Sequence, residues 1–411
     1  MKKFLSLMAC VALLLSMASL PAVAESSPAG EFVYWTYTDS ANNLVAEFNK
    51  LYPDIKVNLQ VFGGDEYKTK LLTTIQSGSG IPDLFDLEEN YAYEFLDSDV
   101  IANLSEMGYD EVLANFYPYM VAGGKDSSGN IKAVNFQTSP VGFWYLRDAC
   151  EKWLGTSDPD EISAMMGSWD EIKALAEKVK ADSNGTVWLW PNTIEMVKVV
   201  GFSFTPFVRD GKFEVGQEWL DLIDTMRSFR ADNDVADLNS WSGDWAAKWN
   251  AGELLFRVMP SWDFFTDWSK NDGNVGIAKP FQSAFEGATL VSMYSGSEKK
   301  DLCDLFLRFI ASETFQTANM ENYNQVPADA AVAKKLAENF SASKFGGQNL
   351  MKTYDEINSD VAAIIPDKYT RSLQNIFQGY AENGVKAGKT NEQIIAEFTA
   401  DVQDKYPELF D

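Results

Sequence analysis

Residues 249–268, WNAGELLFRVMPSWDFFTDW, are the stretch that decides the fold. The apolar run from Leu254 to Met259 predicts a buried strand, bounded by the Gly252 break before it and Pro260 after it. Trp262 then lies just beyond the strand's carboxyl end, which is the edge of an open α/β sheet where ligands bind. An aromatic ring there can offer a flat apolar face to a ligand. The same ring can equally close the base of the next helix, and the segment alone leaves both interpretations open.

Residues 1–24 have the composition of a signal peptide, with a basic Lys2-Lys3 start, an apolar core and small residues up to Ala24. The apolar run is too short for a membrane span. Cys10 lies in a faint lipoprotein box, but most of the apolar core follows this cysteine, which argues against lipidation. We therefore predict an exported protein, periplasmic or otherwise extracytoplasmic and associated with the cell surface.

Composition restricts the function of the mature chain. Cleavage leaves 387 residues, which is too long for one hydrophobic core and predicts two domains. The remaining 32 basic and 60 acidic side chains give a net charge of −28, which makes nucleic acid and anionic membrane surfaces poor partners and favours neutral polar ligands. The chain has no histidine, which excludes Ser-His-Asp and Cys-His catalysis and histidine zinc sites.

The first part of the mature chain alternates strands with helices. Residues 32–37, 55–61 and 84–87 predict strands, and amphipathic helices begin near Ser40 and Gly64. This order is typical of parallel βαβ units.

The same segments carry a resemblance to a known family. The strand with Trp35 and the later run YKTKLLTTIQSGSGIPDLF, residues 67–85, resemble the amino-terminal lobe of family 1 extracellular solute-binding proteins. These proteins are sugar-binding receptors of ABC importers, and maltose-binding protein is one of them. Ser168-Trp169-Asp170-Glu171, residues 250–262 and residues 305–316 resemble later segments of the family in the same order.

The resemblance implies an α/β, two-lobed periplasmic-binding-protein fold of type II, in which each lobe is a mostly parallel sheet flanked by helices. Hinge closure of the lobes would enclose the ligand. The implied segments are 25–136 and 282–323 for lobe one, 140–277 and 328–411 for lobe two, and crossings near 136–139, 279–281 and 324–327.

Lobe two is expected to present or bury aromatic rings, because eleven of the twelve tryptophans lie between Trp144 and Trp268. Trp262 matches the position of the family's cleft tryptophan. Trp190 and Asn192 follow a short apolar run at the place where such receptors contact ligand, although Trp188 could exchange roles with Trp190.

Two further aromatic residues of lobe two are candidates. Tyr369 lies where the family often has a late aromatic residue. Trp241 could line the cleft, but its spacing to Trp245 and Trp249 is also typical of the buried stripe of a helix.

In lobe one, the predicted ligand contacts follow two strand ends. Trp35 and Asp39 lie at the end of the first strand, and Glu88, Glu89 and Asn90 lie at the end of the third. Carboxylates and amides can bind sugar hydroxyls in pairs. The alternative for at least one of the glutamates is a solvated acidic loop.

Gly287 would let the backbone approach a ligand closely, or would simply form a turn. Cys150 and Cys303 could form a disulfide, although isolated cysteines are more often buried thiols. Asp232, Asp234 and Asp237 suggest a calcium loop only faintly, because its glycine and terminal glutamate are missing, and no metal site is predicted.

We therefore predict a monomeric receptor that captures a carbohydrate, an oligosaccharide, and delivers it to the membrane permease subunits of an ABC importer. It would have no catalytic residues and no cofactor. A secreted glycan-active enzyme is the alternative, because glycosidases need only two carboxylates and the chain has 60 acidic residues. A receptor for a different polar solute, such as a polyol, is the third possibility.

The exported protein is expected to begin at Glu25, because the small residues that end at Ala24 form the cleavage site. Intact-mass spectrometry of the exported protein measures this directly. A diacylated amino terminus at Cys10 would contradict the prediction.

Overall fold

The computed structural model of the protein describes residues 28–201, 206–240, 242–262 and 272–411. The predicted signal peptide, Cys10 and Trp241 lie outside the described residues. The strands are β1 Gly30–Thr36, β2 Ile55–Val61, β3 Leu84–Glu88, β4 Ala133–Asn135, β5 Val141–Leu146, β6 Val208–Arg209, β7 Lys212–Phe213, β8 Phe256–Pro260, β9 Val275–Ala278 and β10 Thr289–Met293.

Helices surround these strands in both halves of the molecule. The α-helices are α1 Ala41–Leu51, α2 Gly64–Ser77, α3 Glu89–Ala92, α4 Tyr109–Val112, α5 Pro118–Gly123, α6 Arg147–Leu154, α7 Pro159–Met165, α8 Trp169–Asp182, α9 Ile194–Gly201, α10 Gln217–Ala231, α11 Gly243–Asn250, α12 Lys300–Ile310, α13 Glu313–Tyr323, α14 Ala330–Ala337, α15 Leu350–Asp360, α16 Thr370–Lys386 and α17 Asn391–Lys405. Short 3₁₀ turns occur at Ser105–Met107, Ser343–Phe345 and Pro407–Leu409. Among the described helices, none has the length and apolar character that a membrane crossing requires.

The larger sheet has five strands in the order β2-β1-β3-β10-β4. Strand β1 pairs in parallel with β2 and β3, which confirms the predicted βαβ units. Strand β10 comes from much later in the chain and lies antiparallel between β3 and β4. We call the half of the molecule built on this sheet lobe one.

The second sheet has three strands in the order β8-β5-β9, and we call the half built on it lobe two. Both neighbours of β5 are antiparallel to it, so the prediction of a mostly parallel sheet was wrong for this lobe. The reason is the path of the chain, because β5 leaves the junction between the lobes, whereas β8 and β9 return to it. Within the described part of lobe two, parallel pairing is limited to isolated bridges outside the named strands, at Trp188 and Trp190.

The segments that join the lobes lie side by side. The amide of Thr138 donates to the Val326 carbonyl at 2.8 Å, and the amide of Glu286 donates to the Ser139 carbonyl at 3.0 Å. These contacts bring the predicted crossings at 136–139 and 324–327 together and place Glu286, in the segment that joins β9 to β10, beside them. The exact lobe boundaries stay a prediction.

Most of the described tryptophans of lobe two pack in its interior. Trp144, Trp190, Trp219, Trp245 and Trp249 are all buried. The buried guanidinium of Arg257 in β8 lies 3.8 Å from the ring centre of Trp245 and 4.8 Å from that of Trp249, so α11 covers the strand through stacked cation–π contacts.

The two cysteines of the described chain are buried, and the acidic turn considered as a calcium loop pairs with basic side chains. Cys150 in α6 and Cys303 in α12 are buried free thiols, one in each lobe, and burial raises the pKa of Cys303 to about 12. The ammonium of Lys173 lies 2.6 Å from Asp232 and 2.8 Å from Asp234, and Asp237 pairs with Arg230 at 2.9 Å. Lysine and arginine therefore neutralise the acidic turn.

Asp86 is buried in the centre of the larger sheet, where the Tyr34 hydroxyl donates to its carboxyl at 2.6 Å. Burial disfavours the charged form and raises the pKa of Asp86 to about 7. Because the folded-state pKa lies above the unfolded value, this group stabilises the fold at acidic pH, and the stabilisation is lost as the pH rises from about 4 to about 7.

Asp86→Asn is therefore expected to raise the free energy of unfolding at pH 8, by up to about 4 kcal/mol, and to change it little at pH 4. Urea denaturation at the two pH values measures the difference. Tyr34→Phe is the control that removes the hydrogen bond but keeps the carboxyl. An Asp86→Asn effect that is equal at both pH values would contradict the assignment.

Candidate functional site

A cavity of about 840 Å³ lies between the lobes, beside the crossings. Lobe one contributes residues that follow the carboxyl ends of β1 and β3, and lobe two contributes side chains from α9, α16 and the end of β8. Two of the predicted crossings also line the cavity, through Gln137, Ser139, Asn324 and Gln325. The lining residues are Tyr37, Thr38, Ser40, Asn43, Glu88, Glu89, Asn90, Gln137, Ser139, Lys198, Trp262, Glu286, Gly287, Ala288, Thr289, Asn322, Tyr323, Asn324, Gln325, Asn375 and Gln378.

Trp262 lies two residues beyond β8, as predicted, and its side chain is 38% exposed. Its indole Nε1 donates to the Glu286 carbonyl at 3.0 Å, which fixes the ring against the segment that joins β9 to β10. Gly287 has a φ of +79°, and a Cβ at this position would lie 3.4 Å from the indole nitrogen. Glycine therefore permits both the backbone conformation and the close approach to the ring.

Eight of the lining residues carry a side-chain amide. Each amide can donate and accept hydrogen bonds, so together they suit groups such as hydroxyls that do both. The eight are Asn43, Asn90, Gln137, Asn322, Asn324, Gln325, Asn375 and Gln378.

The two neighbouring glutamates of β3 and α3 differ in environment. Glu88 is half-buried and accepts a hydrogen bond from the Asn90 side chain at 2.9 Å. Glu89 is buried, and its Oε1 accepts hydrogen bonds from the Tyr93 hydroxyl at 2.8 Å and from Nε of Arg371. Glu88 is thus the better placed of the two to accept a hydrogen bond from a ligand.

A second ion pair joins α9 of lobe two to Glu286 in the segment between β9 and β10. The ammonium of Lys198 in α9 lies 2.9 Å from Oε1 and 3.1 Å from Oε2 of Glu286. Glu286 therefore joins α9 through its side chain and Trp262 through its carbonyl.

The structure places the predicted Trp190 and Asn192 away from the cavity. Trp190 is fully buried, and its ring packs edge-on against Phe143 at 5.2 Å. Asn192 is also buried, donating to the Leu238 carbonyl at 2.6 Å and accepting from the Glu195 amide at 3.1 Å at the start of α9. Both residues stabilise lobe two itself.

Three other predicted residues also lie outside the cavity lining. Trp35 is buried against Phe62, with ring centres 5.0 Å apart, and Asp39 is exposed on the surface. Tyr369 packs against Tyr406 at 5.2 Å and donates to Glu408 at 2.9 Å. The predicted residues that the cavity brings together are therefore Glu88, Glu89, Asn90, Trp262 and Gly287.

Most of the amides were missed by sequence reasoning. The run Asn322 to Gln325 overlaps the predicted third crossing, and its three amides were the signal that could have indicated a cavity wall. Asn375 and Gln378 are different, because polar residues on one face of a helix are indistinguishable from a solvated surface.

Comparison with known proteins identifies the family to which the chain is similar. A family model described as bacterial extracellular solute-binding protein matches residues 43–345. An arabinooligosaccharide-binding protein of Halalkalibacterium halodurans is 21% identical over 403 residues, covering 88% of this chain and 86% of that protein.

Solved structures show the same fold. The sugar-binding protein MalE from Xanthomonas citri aligns with a TM-score of 0.77 at 15% identity, over 91% of this chain and 97% of that one. The galacto-N-biose-/lacto-N-biose I-binding protein of Bifidobacterium longum, solved with lacto-N-biose, aligns with a TM-score of 0.71 at 17% identity, over 92% and 98%. The two-lobed fold that the sequence predicts is thereby confirmed, and since the family model spans most of its length, this chain belongs to the bacterial extracellular solute-binding protein family.

Proposed function

We propose that this protein captures a neutral carbohydrate, an oligosaccharide, between its lobes and delivers it to the permease subunits of an ABC importer. The observation that carries the proposal is the pairing of one exposed tryptophan ring with eight amides in a single cavity. Sugar rings present apolar faces that can stack on an indole, and hydroxyls that both donate and accept.

The charges of the cavity favour a neutral ligand. Its charged lining residues are Glu88, Glu89, Lys198 and Glu286. Lys198 pairs with Glu286, and Glu89 pairs with Arg371 from behind the lining. Glu88 remains to accept hydroxyl hydrogen bonds, and an anionic ligand would meet its negative charge without a neighbouring excess of positive charge.

The size of the cavity and the relatives support the same class of ligand. A volume of about 840 Å³ lies within the usual range for small-molecule sites. One relative is named for binding arabinooligosaccharides, and one structure of the same fold was solved with lacto-N-biose.

The carboxylates favour binding over hydrolysis. A glycosidase needs an acid and a second carboxylate placed across the scissile bond. In this cavity Glu89 and Glu286 both pair with cations of the protein, so neither is placed as a free partner for Glu88. The family is one of binding proteins.

Membership of an extracellular family makes this an exported protein. The proposal has three further parts. Residues 1–24 act as the signal peptide, the protein is a monomer, and the permease subunits recognise its closed lobes.

The ligand class is tested by thermal shift with a panel of neutral oligosaccharides, including arabino-, galacto- and malto-oligosaccharides, and a matched panel of phosphorylated sugars. Neutral sugars are expected to stabilise the protein, because a ligand that binds only the folded state at a hundredfold excess over Kd adds about 2.7 kcal/mol. Analysis of the same mixtures by chromatography detects turnover. Stabilisation by the phosphorylated sugars alone, or cleavage of a sugar, would contradict the proposal.

Trp262→Ala is expected to weaken binding of the best sugar by about 2 kcal/mol or more, the range of aromatic hot spots, because the stacked ring is lost. Isothermal titration calorimetry measures this change. The free energy of unfolding should fall little, since the ring is 38% exposed before ligand binds.

Trp190→Ala is the matched control, because that ring is fully buried. It is expected to cost about 3–5 kcal/mol of folding stability, as for other buried aromatic residues. Unchanged affinity in Trp262→Ala, together with a large loss of stability, would make Trp262 a core residue instead.

A further inference from the structure

One buried ion pair joins the two lobes beside the cavity. Arg371 lies in the first turn of α16 in lobe two, and Glu89 is the first residue of α3 in lobe one. Nε of Arg371 donates to Oε1 of Glu89, and both side chains are almost completely buried, with 6% and 3% exposure. Separation of the lobes would break this contact.

The surroundings of the pair involve both lobes and a crossing. In lobe one, the Tyr93 hydroxyl donates to the same Glu89 oxygen at 2.8 Å. In lobe two, Nη1 of Arg371 donates to Gln374 at 2.8 Å. The guanidinium also lies 5.2 Å from the ring centre of Phe285, in the segment between β9 and β10 that contains the predicted second crossing, so Arg371 contacts both lobes and this segment.

The same helix carries part of the cavity wall. Arg371, Asn375 and Gln378 are spaced i, i+4 and i+7 on α16, which places them on one face of the helix. Asn375 and Gln378 line the cavity. On the opposite side of α16, Phe377 packs on Trp219 of α10 at 4.7 Å, so the helix moves with lobe two.

The energetics of a buried pair make its two charges interdependent. Burying an ion pair costs desolvation that the mutual attraction only partly returns, whereas removing Arg371 takes this cation away from the buried carboxylate of Glu89. That carboxylate can return to water if the lobes separate. Loss of Arg371 should therefore favour the open state, and loss of Glu89 removes the anion that attracts Arg371 to lobe one.

We propose that the Glu89–Arg371 pair is a closing contact that holds the lobes together before ligand arrives and positions Asn375 and Gln378 over the cavity. Arg371 is then a positioning residue, and the amides are pre-organised, which lowers the ordering cost of binding. The positioning of the amides for a sugar rests on the proposed function. The closing contact itself does not depend on any ligand.

The test is small-angle X-ray scattering of the mature protein without ligand, comparing the unmodified chain with Arg371→Gln and Glu89→Gln. Each single variant is expected to lower the ratio of closed to open molecules at least tenfold and so to increase the radius of gyration. The double variant Glu89→Gln/Arg371→Gln should be more compact than Arg371→Gln, because it also removes the buried carboxylate. Circular dichroism verifies that each variant folds.

Arg308→Gln is the matched control, since it breaks the 2.8 Å ion pair of Arg308 with Asp304 inside lobe one. It should leave the radius of gyration unchanged. Single variants as compact as the unmodified protein, an equal expansion in Arg308→Gln, or a double variant no more compact than Arg371→Gln would each overturn the closing contact.

The positioning role has its own measurement with the sugar that stabilises the protein most. Arg371→Gln is expected to weaken binding of this sugar at least tenfold, and the double variant should recover part of the loss. Equal affinity in Arg371→Gln and the unmodified protein would overturn the positioning role. If no sugar binds the unmodified protein, the proposed function fails while the scattering result still decides the closing contact.

Discussion

The structure depends on a small group of backbone hydrogen bonds where the chain passes between the lobes. The Val141 amide donates to the Ala284 carbonyl at 3.0 Å, and the amides of Ser261 and Glu286 donate to the carbonyls of Pro140 and Ser139 at 3.0 Å each. Strands that leave this junction run away from the cavity, and strands that return end beside it. Because β5 and β10 leave the junction, they run antiparallel to the neighbouring strands that return to it. Because β8 returns to the junction, its end lies at the cavity.

The aromatic residues of lobe two have two roles, which are packing of the interior and lining of the cavity. Most of the described tryptophans fill the interior, where β8 is covered by rings stacked on Arg257, and Trp262 lies beyond the strand at the cavity. Two of the acidic side chains of the cavity, Glu89 and Glu286, are paired with cations of the protein. The cavity that remains is rich in amides, although the whole chain has a net charge of −26.

Local sequence patterns predicted the helices and strands and the position of Trp262. The alternation of apolar and polar residues and the end of a strand both depend on residues that are neighbours in the sequence. The first βαβ units followed from the period of apolar residues. The pairing direction of β5 did not follow from this period, because it depends on where distant segments of the chain pass between the lobes. Trp190 follows an apolar run much as Trp262 follows β8, and only packing against Phe143 decides that its ring is internal. Amides on α16 look like any solvated helix face until lobe one is placed opposite them.

The two free thiols have a practical consequence for measuring lobe motion. Cys150 and Cys303 are buried, and burial raises the pKa of both thiols, that of Cys303 to about 12, so the reactive thiolate is scarce at neutral pH. A cysteine introduced at the rim of the cavity would therefore be the one that a maleimide dye modifies. Once the predicted signal peptide, which carries Cys10, is removed, the chain is suited to a single-label fluorescent sensor without replacement of Cys150 or Cys303.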